Sequence, residues 1–288
     1  MKISPFDSSR PGSQEISWCP GCGDFAILDA IKETLTALQR TPQQTAVISG
    51  IGQAGKLPHY IHSNGFHTLH GRAIPIATGV KTANPQLTVL AVGGDGDMYA
   101  EGGNHFLHAL RRNPNITVII HNNQIYGLTK GQGSPTSLPG MKTTTQPRGV
   151  TAEPLNAMAI AIAQNASFVA RSFIGDKELT CDVLRQAVEH NGLAIVEIFQ
   201  PCVSFNKLNT YKWYAEHCQR IENHDCSDQA AALALALAVD PYPIGVLYRS
   251  GNKKTFEEQL PSYRNDDSPL WQRRVDRDAL QQLLASKK

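Results

Sequence analysis

Leu87-Thr88-Val89-Leu90-Ala91-Val92-Gly93-Gly94-Asp95-Gly96-Asp97 decides the fold of this 288-residue chain. The run Leu87–Val92 is apolar but for Thr88, and glycine and aspartate follow it at once. Continuous apolar runs mark parallel strands buried on both faces. Ile116-Thr117-Val118-Ile119-Ile120 is a second such run, ending in His121-Asn122-Asn123, and Leu193–Phe199 is a third. Thr45–Ser49 is a shorter strand that enters the glycine turn Gly50-Ile51-Gly52. Helical patterns separate the runs, over roughly Asn104–Arg112, Glu153–Gln164 and Lys177–Glu189. Arg72–Ala83 also reads as a helix, rich in small residues. Alternating strand and helix predicts an α/β fold with a doubly wound, mostly parallel sheet.

Working outward, Asp24 is placed to cap a helix running to about Gln39. Its apolar stripe is Phe25, Ile27, Leu28, Ile31, Leu35 and Leu38. Residues 1–18 read as an extended N-terminal arm. Residues 19–214 form the main domain, and 215–288 an extension, since strand rhythm fades after Tyr214. In that extension Gln229–Ala238 reads as a helix. The stretch Gly127–Gly149 holds five glycines and three prolines. It is too long for an ordinary connector, which marks a functional loop.

Composition excludes several classes. The chain is 41% hydrophobic and 18% charged, with net charge +2. Its basic residues are scattered and carry no nucleic-acid-reading motif, so nucleic acid is not an expected partner. No run approaches the ~20 apolar residues of a membrane span. Met1–Arg10 lacks a signal-type apolar stretch, so the expected location is the cytoplasm. The six cysteines then point away from a disulfide framework and raise the question of metal.

Ligands of α/β sheets bind at the carboxyl ends of strands, where glycine turns let backbone amides approach a phosphate. Asp95 at one strand end and Asn123 at the next, 28 positions later, can share an Mg²⁺ ion that prefers oxygen and bridges phosphates. Ordinary turns also use Gly and Asn-Asn, so neither motif alone is specific. Their spacing resembles the thiamine-diphosphate motif. Further motifs follow one another in order: Trp18-Cys19-Pro20-Gly21-Cys22-Gly23, Ser49-Gly50-Ile51-Gly52, His70-Gly71-Arg72, Asn104-His105, Arg111-Arg112-Asn113, Tyr126-Gly127-Leu128-Thr129-Lys130-Gly131-Gln132, Ser134-Pro135-Thr136 and Pro201-Cys202-Val203-Ser204-Phe205-Asn206. Over residues 15–215 this series resembles the β subunit of two-subunit 2-oxoacid:ferredoxin oxidoreductases.

That resemblance implies CoA-dependent oxidative decarboxylation of a 2-oxoacid, 2-oxoglutarate favoured and pyruvate the alternative. Thiamine diphosphate supplies the carbanion chemistry. Electrons would pass through an iron–sulfur cluster to ferredoxin, and an α subunit would bring the glutamate that activates the cofactor. Glu101 does not match that role. The resemblance further implies that Asp95, Asn123 and the carbonyl of Ile125 bind Mg²⁺. Cofactor contacts would come from Cys22, Gly23, Gly52, Gly94, Gly96, Asp97, Gly127, Leu128 and Thr129. Lys130 is a candidate contact for an anionic substrate group, against a solvated loop charge. His70 is a candidate donor to phosphate or substrate, against a packed histidine.

Cys19, Cys22 and Cys202 match three of the family's four [4Fe–4S] ligands. Cys22 precedes a helix, whose amino end favours thiolate. The fourth position holds Gln53, a poor ligand for soft iron–sulfur chemistry. A four-iron cluster with three cysteines, a three-iron cluster, or none are the outcomes open at this point. The first is preferred, and zinc is disfavoured because it needs four tight ligands. Cys181, Cys218 and Cys226 read as incidental thiols. Two rivals remain: a non-redox thiamine decarboxylase subunit, motivated by Gln53, and a non-catalytic cofactor-binding subunit.

Overall fold

The computed structural model describes residues 4–7, 15–251, 253–264 and 266–287. From the amino end the elements are helix α1 (Gly23–Ala37), strands β1 (Thr45–Ser49) and β2 (Asn64–His67), helix α2 (Ala73–Ala83), strand β3 (Thr88–Gly94), helix α3 (Gly103–Arg112), strands β4 (Thr117–Asn122), β5 (Ile125–Tyr126) and β6 (Gln132–Gly133), and helix α4 (Ala157–Ala163). Then come β7 (Phe168–Phe173), α5 (Lys177–Glu189), β8 (Ala194–Phe199), α6 (Tyr211–His217), β9 (Cys218–Arg220), α7 (Gln229–Leu237), β10 (Tyr242–Arg249), α8 (Phe256–Gln259) and α9 (Arg277–Ala285).

Eight strands form one sheet in the order β2-β1-β3-β4-β8-β7-β10-β9. The first six run parallel, and β10 joins β7 antiparallel. Strand parity sends alternate side chains into two cores. Val89, Ala91, Val118 and Ile120 face the layer of α2, α3, α4 and α7. Leu90, Val92 and Ile119 face the layer of α1 and α5. With both faces covered, every residue of β1, β4, β7 and β8 is buried. The expected α/β doubly wound architecture is what forms, and the apolar runs are its central strands.

Four local readings change. Helix α1 is capped by Cys22, with no side-chain cap bond. Asp24 turns inward, buried at 1% exposure, and spends both its oxygens elsewhere. Helix α4 starts at Ala157 rather than near Glu153, because Asn156 is the cap and accepts from the Ala159 amide. Strand β7 escapes the apolar-run test because Arg171 and Ser172 interrupt it. Strand β10 contains Pro243 and Gly245, residues that argue against an interior strand. The segment after Tyr214 thus extends the sheet, through β9 and β10.

Of the expected arm, residues 1–3 and 8–14 lie outside the described residues. The described piece is fastened: Phe6 is fully buried, and its carbonyl accepts from the His62 amide. Among the described residues no helix is long and apolar enough to cross a membrane.

Candidate active site

Strand β3 ends at Gly94, and the chain turns at Asp95 into one turn of π-helix over Gly96–Glu101. The neighbouring strand β4 ends at Asn122. Between these carboxyl ends lies a cleft with about 500 Å³ of open space. Twelve expected site residues line it: Gly52, Gln53, His70, Gly94, Asp95, Gly96, Asp97, Asn123, Ile125, Gly127, Leu128 and Thr129. Topology brings them together from four separate loops. Cys22 and Gly23 are not among the lining residues; they sit where helix α1 begins.

Asp95 is 1% exposed. Its Oδ2 accepts from the hydroxyls of Ser134 and Thr136, both at 2.5 Å. Burial pushes its carboxyl up to about 6 despite those two bonds. A carboxylate taken out of water without a cationic partner is costly, so Asp95 fits a bound divalent cation. Thr136 Oγ1 also lies 2.9 Å from Asn122 Oδ1, so its single proton is shared between that oxygen and Asp95, and Asn122 donates to Glu197. Glu197 accepts further from Tyr99 and from Arg171, at 3.0 and 2.9 Å. The aspartate therefore sits on a buried polar chain reaching three strands away.

Asn123 Oδ1 accepts from the Ile125 amide at 3.1 Å, and the Asn123 carbonyl accepts from Asn206. These bonds fix the turn that aims Asn123 and Ile125 at the cleft. Among the described residues no three His, Cys, Asp or Glu side chains gather around a single-ion position. An Mg²⁺ shell here would draw on one carboxylate, an amide oxygen, a carbonyl and phosphate oxygens, which suits a hard cation.

Asp97 does more than line the cleft. Its Oδ1 accepts from the amides of Ile51 and Gly71 and lies 3.3 Å from His70 Nδ1. It thereby pins two loops to the β3 turn. A Cβ on Gly50 would stand 1.7 Å from Asp97 Oδ2, which is why that turn needs glycine. A Cβ on Gly96 would meet the Tyr126 ring at 2.3 Å. The Tyr126 hydroxyl donates to Glu101. His70 is half exposed at the cleft rim. Lys130 is exposed, adopts a left-handed φ of 80°, and does not line the cleft.

Cys19 and Cys22 lie just ahead of helix α1, and Cys202 lies beside Gly127 of the cleft wall. The Cys22 amide donates to the Cys19 carbonyl at 2.9 Å. A Cβ on Gly127 would lie 3.8 Å from Cys202 Sγ and 3.9 Å from Gln53 Cγ, so those two side chains share one neighbour. Trp18 Nε1 donates to the Gln53 carbonyl at 2.8 Å, tying that loop to the Cys19 segment. Gln53 Oε1 is buried without a hydrogen-bond partner. Gln200 Nε2 donates to Cys22 Sγ at 3.2 Å, and a Cβ on Gly23 would strike Gln200 Cγ at 2.5 Å. The expected help from the helix amino end does not prevail at Cys22. Burial and the adjacent Asp24 carboxylate drive its thiol well above the ordinary range. The Cys22 thiol accordingly donates to Asp24 Oδ2 at 3.4 Å.

Asp24, His121, Gln200 and the Tyr99–Glu197–Arg171 chain are not legible as site residues in the sequence. Gln200 directly follows β8, the others lie on helices or strands, and no local pattern marks any of them as touching the site. Ser134 and Thr136 stand inside a motif, but nothing in the sequence ties them to Asp95, 39 and 41 positions away.

Residues 43–198 match the family described as thiamine pyrophosphate enzyme, C-terminal TPP binding domain. Residues 202–265 match the family formed by the C-terminal part of the pyruvate ferredoxin oxidoreductase beta subunit. The chain is 42% identical to 2-oxoacid:ferredoxin oxidoreductase 1, subunit beta, of Aeropyrum pernix, covering 88% of this chain and 86% of that one. The chain belongs to the 2-oxoacid:ferredoxin oxidoreductase β subunits. This β subunit is also 37% identical to the 2-oxoglutarate synthase subunit KorB of Archaeoglobus fulgidus, over 77% and 84% of the two chains. Its fold matches a chain of the 2-oxoglutarate:ferredoxin oxidoreductase from Magnetococcus marinus, solved with 2-oxoglutarate, coenzyme A and succinyl-CoA bound. The TM-score is 0.89 at 37% identity, covering 98% and 96% of the two chains.

Proposed function

We propose that this β subunit, docked to an α subunit, performs CoA-dependent oxidative decarboxylation of a 2-oxoacid, 2-oxoglutarate favoured. Ferredoxin is the electron acceptor, and acyl-CoA and CO₂ are the products. The buried Asp95, doubly hydrogen-bonded at the open end of the sheet and facing Asn123, carries this reading. Family membership supports it, as do the ligands of the Magnetococcus relative.

Asp95, Asn123 and the Ile125 carbonyl would hold Mg²⁺ and through it the diphosphate. Gly94, Gly96 and Gly52 would let backbone approach the phosphates. When bound, thiamine diphosphate supplies the electron sink for decarboxylation. The chain's own part is positioning. Ser134 and Thr136 keep Asp95 Oδ2 occupied, while Asp97 holds the Gly50–Gly52 and His70–Gly71 turns against the cleft. The cleft is open on one side, where the α subunit would bring its glutamate and exclude water. Lys130, on the exposed loop beside the cleft, would meet an anionic group of the substrate once that loop is covered. Cys19, Cys22 and Cys202 would hold a [4Fe–4S] cluster, with Gln53 at the position that lacks a thiolate. Residues 19–214 would be the cofactor-holding part and 215–288 its extension. The expected place of work is the cytoplasm.

The test is the copurified, anaerobic α–β complex given 2-oxoglutarate or pyruvate, CoA and oxidised ferredoxin. Substrate-dependent ferredoxin reduction with acyl-CoA formation is expected, faster with 2-oxoglutarate and abolished by Asp95→Ala. CO₂ release without ferredoxin reduction would establish a non-redox decarboxylase instead. Full turnover in Asp95→Ala would make the chain a non-catalytic subunit.

A further inference from the structure

A second cavity, of about 200 Å³, opens where β3 and β4 begin, at the end of the sheet away from Asp95. Its walls are mostly polar. They include Arg40, which follows α1, Lys81 in the last turn of α2, Thr88 and Asn115 at the strand entries, and Glu189 and His190 at the end of α5. Strand β3 is seven residues long, which puts this cavity roughly 20 Å from the cofactor cleft.

Among the described residues the Arg40 side chain makes no hydrogen bond or ion pair, and its Nε is buried without a partner. Lys81 is 7% exposed, and its Nζ donates to the Leu87 carbonyl at 2.7 Å. Among the described residues no carboxylate pairs with it. Burial lowers the Lys81 ammonium to about 8; Glu257 opposes the drop and Arg40 adds to it. Glu257 does not line the cavity, and its Oε2 accepts from the Asn115 amide at 3.1 Å. Glu189 is the one carboxylate in the lining, half exposed and 3.5 Å from Arg185. His190 adds no charge at neutral pH, because burial lowers it to about 4. Two cations therefore share a polar cavity whose single carboxylate is engaged elsewhere.

The carbonyl ends of helices attract cations, and that alone could place basic residues here. Neither side chain serves that purpose. Lys81 reaches a carbonyl outside any helix, and Arg40 reaches none. A buried cation without a counter-charge is costly, and a second cation beside it adds repulsion. An anion between the two relieves both costs. A guanidinium presents coplanar N–H donors that match two oxygens of one anion, and an ammonium adds a point charge on a third.

We infer that this cavity binds a phosphate-class oxyanion between the Arg40 guanidinium and the Lys81 ammonium. The site is separate from the cofactor diphosphate and does not depend on the proposed reaction. Its occupant is either free phosphate or the phosphate group of a nucleotide.

The experiment uses the copurified α–β complex saturated with Mg²⁺ and thiamine diphosphate, so that the cofactor cleft takes no phosphate. Inorganic phosphate is titrated by calorimetry at constant ionic strength, with chloride as the control. Wild type is expected to bind phosphate saturably, with a Kd on the order of 1 mM or tighter, and to unfold at higher temperature in its presence. Arg40→Gln and Lys81→Met should each weaken binding by about tenfold or more and abolish the thermal shift. AMP that displaces phosphate assigns the site to a nucleotide phosphate; phosphate held against AMP assigns it to the free ion. Absence of saturable binding in wild type overturns the inference. So does phosphate binding that survives both substitutions unchanged, or a chloride response equal to that of phosphate. The wild-type titration and its chloride control stand if Lys81→Met does not fold, and Arg40→Gln, at a less buried position, then carries the assignment.

Discussion

Replacing Asp95 by Asn separates the stability of this chain from its function, with opposite signs. Burial raises the Asp95 carboxyl from 3.8 to about 6, against the opposing bonds from Ser134 and Thr136. That rise corresponds to roughly 3 kcal/mol of destabilisation at neutral pH. The sign follows from linkage. Below about pH 3.8 the group is protonated in the folded and unfolded chain alike, and no penalty exists. Between 3.8 and 6 the unfolded chain ionises first, and stability falls as pH rises. Above about 6 the full penalty stands. Asn keeps an oxygen for the two hydroxyls and carries no charge. The cofactor-free Asp95→Asn complex should therefore be more stable than wild type by up to about 3 kcal/mol at pH 7.5, with the gain vanishing toward pH 4. Magnesium and thiamine diphosphate reverse the order. At a hundredfold excess over Kd they stabilise wild type by about 2.7 kcal/mol and should leave the variant unchanged. Urea unfolding of the stripped complex across this pH range, with and without both ligands, measures every quantity. A variant less stable than wild type at neutral pH, or a gain indifferent to pH, would refute the argument that Asp95 is a carboxylate held in wait for a cation.

Other perturbations follow from single contacts. Gly50→Ala puts a methyl 1.7 Å from Asp97 Oδ2; it should displace that carboxylate, lower stability by about 1–3 kcal/mol and weaken cofactor binding, both readable by calorimetry. Arg171→Met leaves Glu197 buried and unpaired. A loss of about 3–5 kcal/mol in urea unfolding is expected, with the double change Arg171→Met and Glu197→Gln recovering part of it. Because burial and Asp24 hold the Cys22 thiol far above its ordinary value, iodoacetamide should label Cys22 slowly at pH 8 in the iron-free complex. Labelling should quicken as pH rises, and Asp24→Asn should speed it at fixed pH; peptide mass mapping reads the rates.

The legible parts of this protein are those where chemistry is local. Leu87–Val92, Ile116–Ile120 and Leu193–Phe199 announce buried parallel strands because a strand covered on both faces is mostly apolar; Glu197 is the one charged residue among them, and Arg171 pairs it. Asp95 and Asn123 are legible because a strand end, a glycine turn and an oxygen donor sit within a few residues. Strand β7 is opaque for the opposite reason: Arg171 is tolerated in the sheet only because Glu197, on the next strand, neutralises it. Proline and glycine in β10 hide a strand that exists through its pairing with β7 and β9.

Sequence by itself determined the α/β class, the cofactor end of the sheet, and the family with its three cysteines and one glutamine. It did so because turns, spacing and apolar runs are properties of short segments. Only the tertiary structure decided what each polar side chain touches. Asp24 reads as a helix cap along the chain, yet in space it is the partner of His121, 97 residues away. Cys22 reads as a helix-end thiolate, yet burial beside Asp24 keeps it protonated until something displaces the proton. Desolvation and pairing depend on which distant segments pack together, and the sheet order sets that.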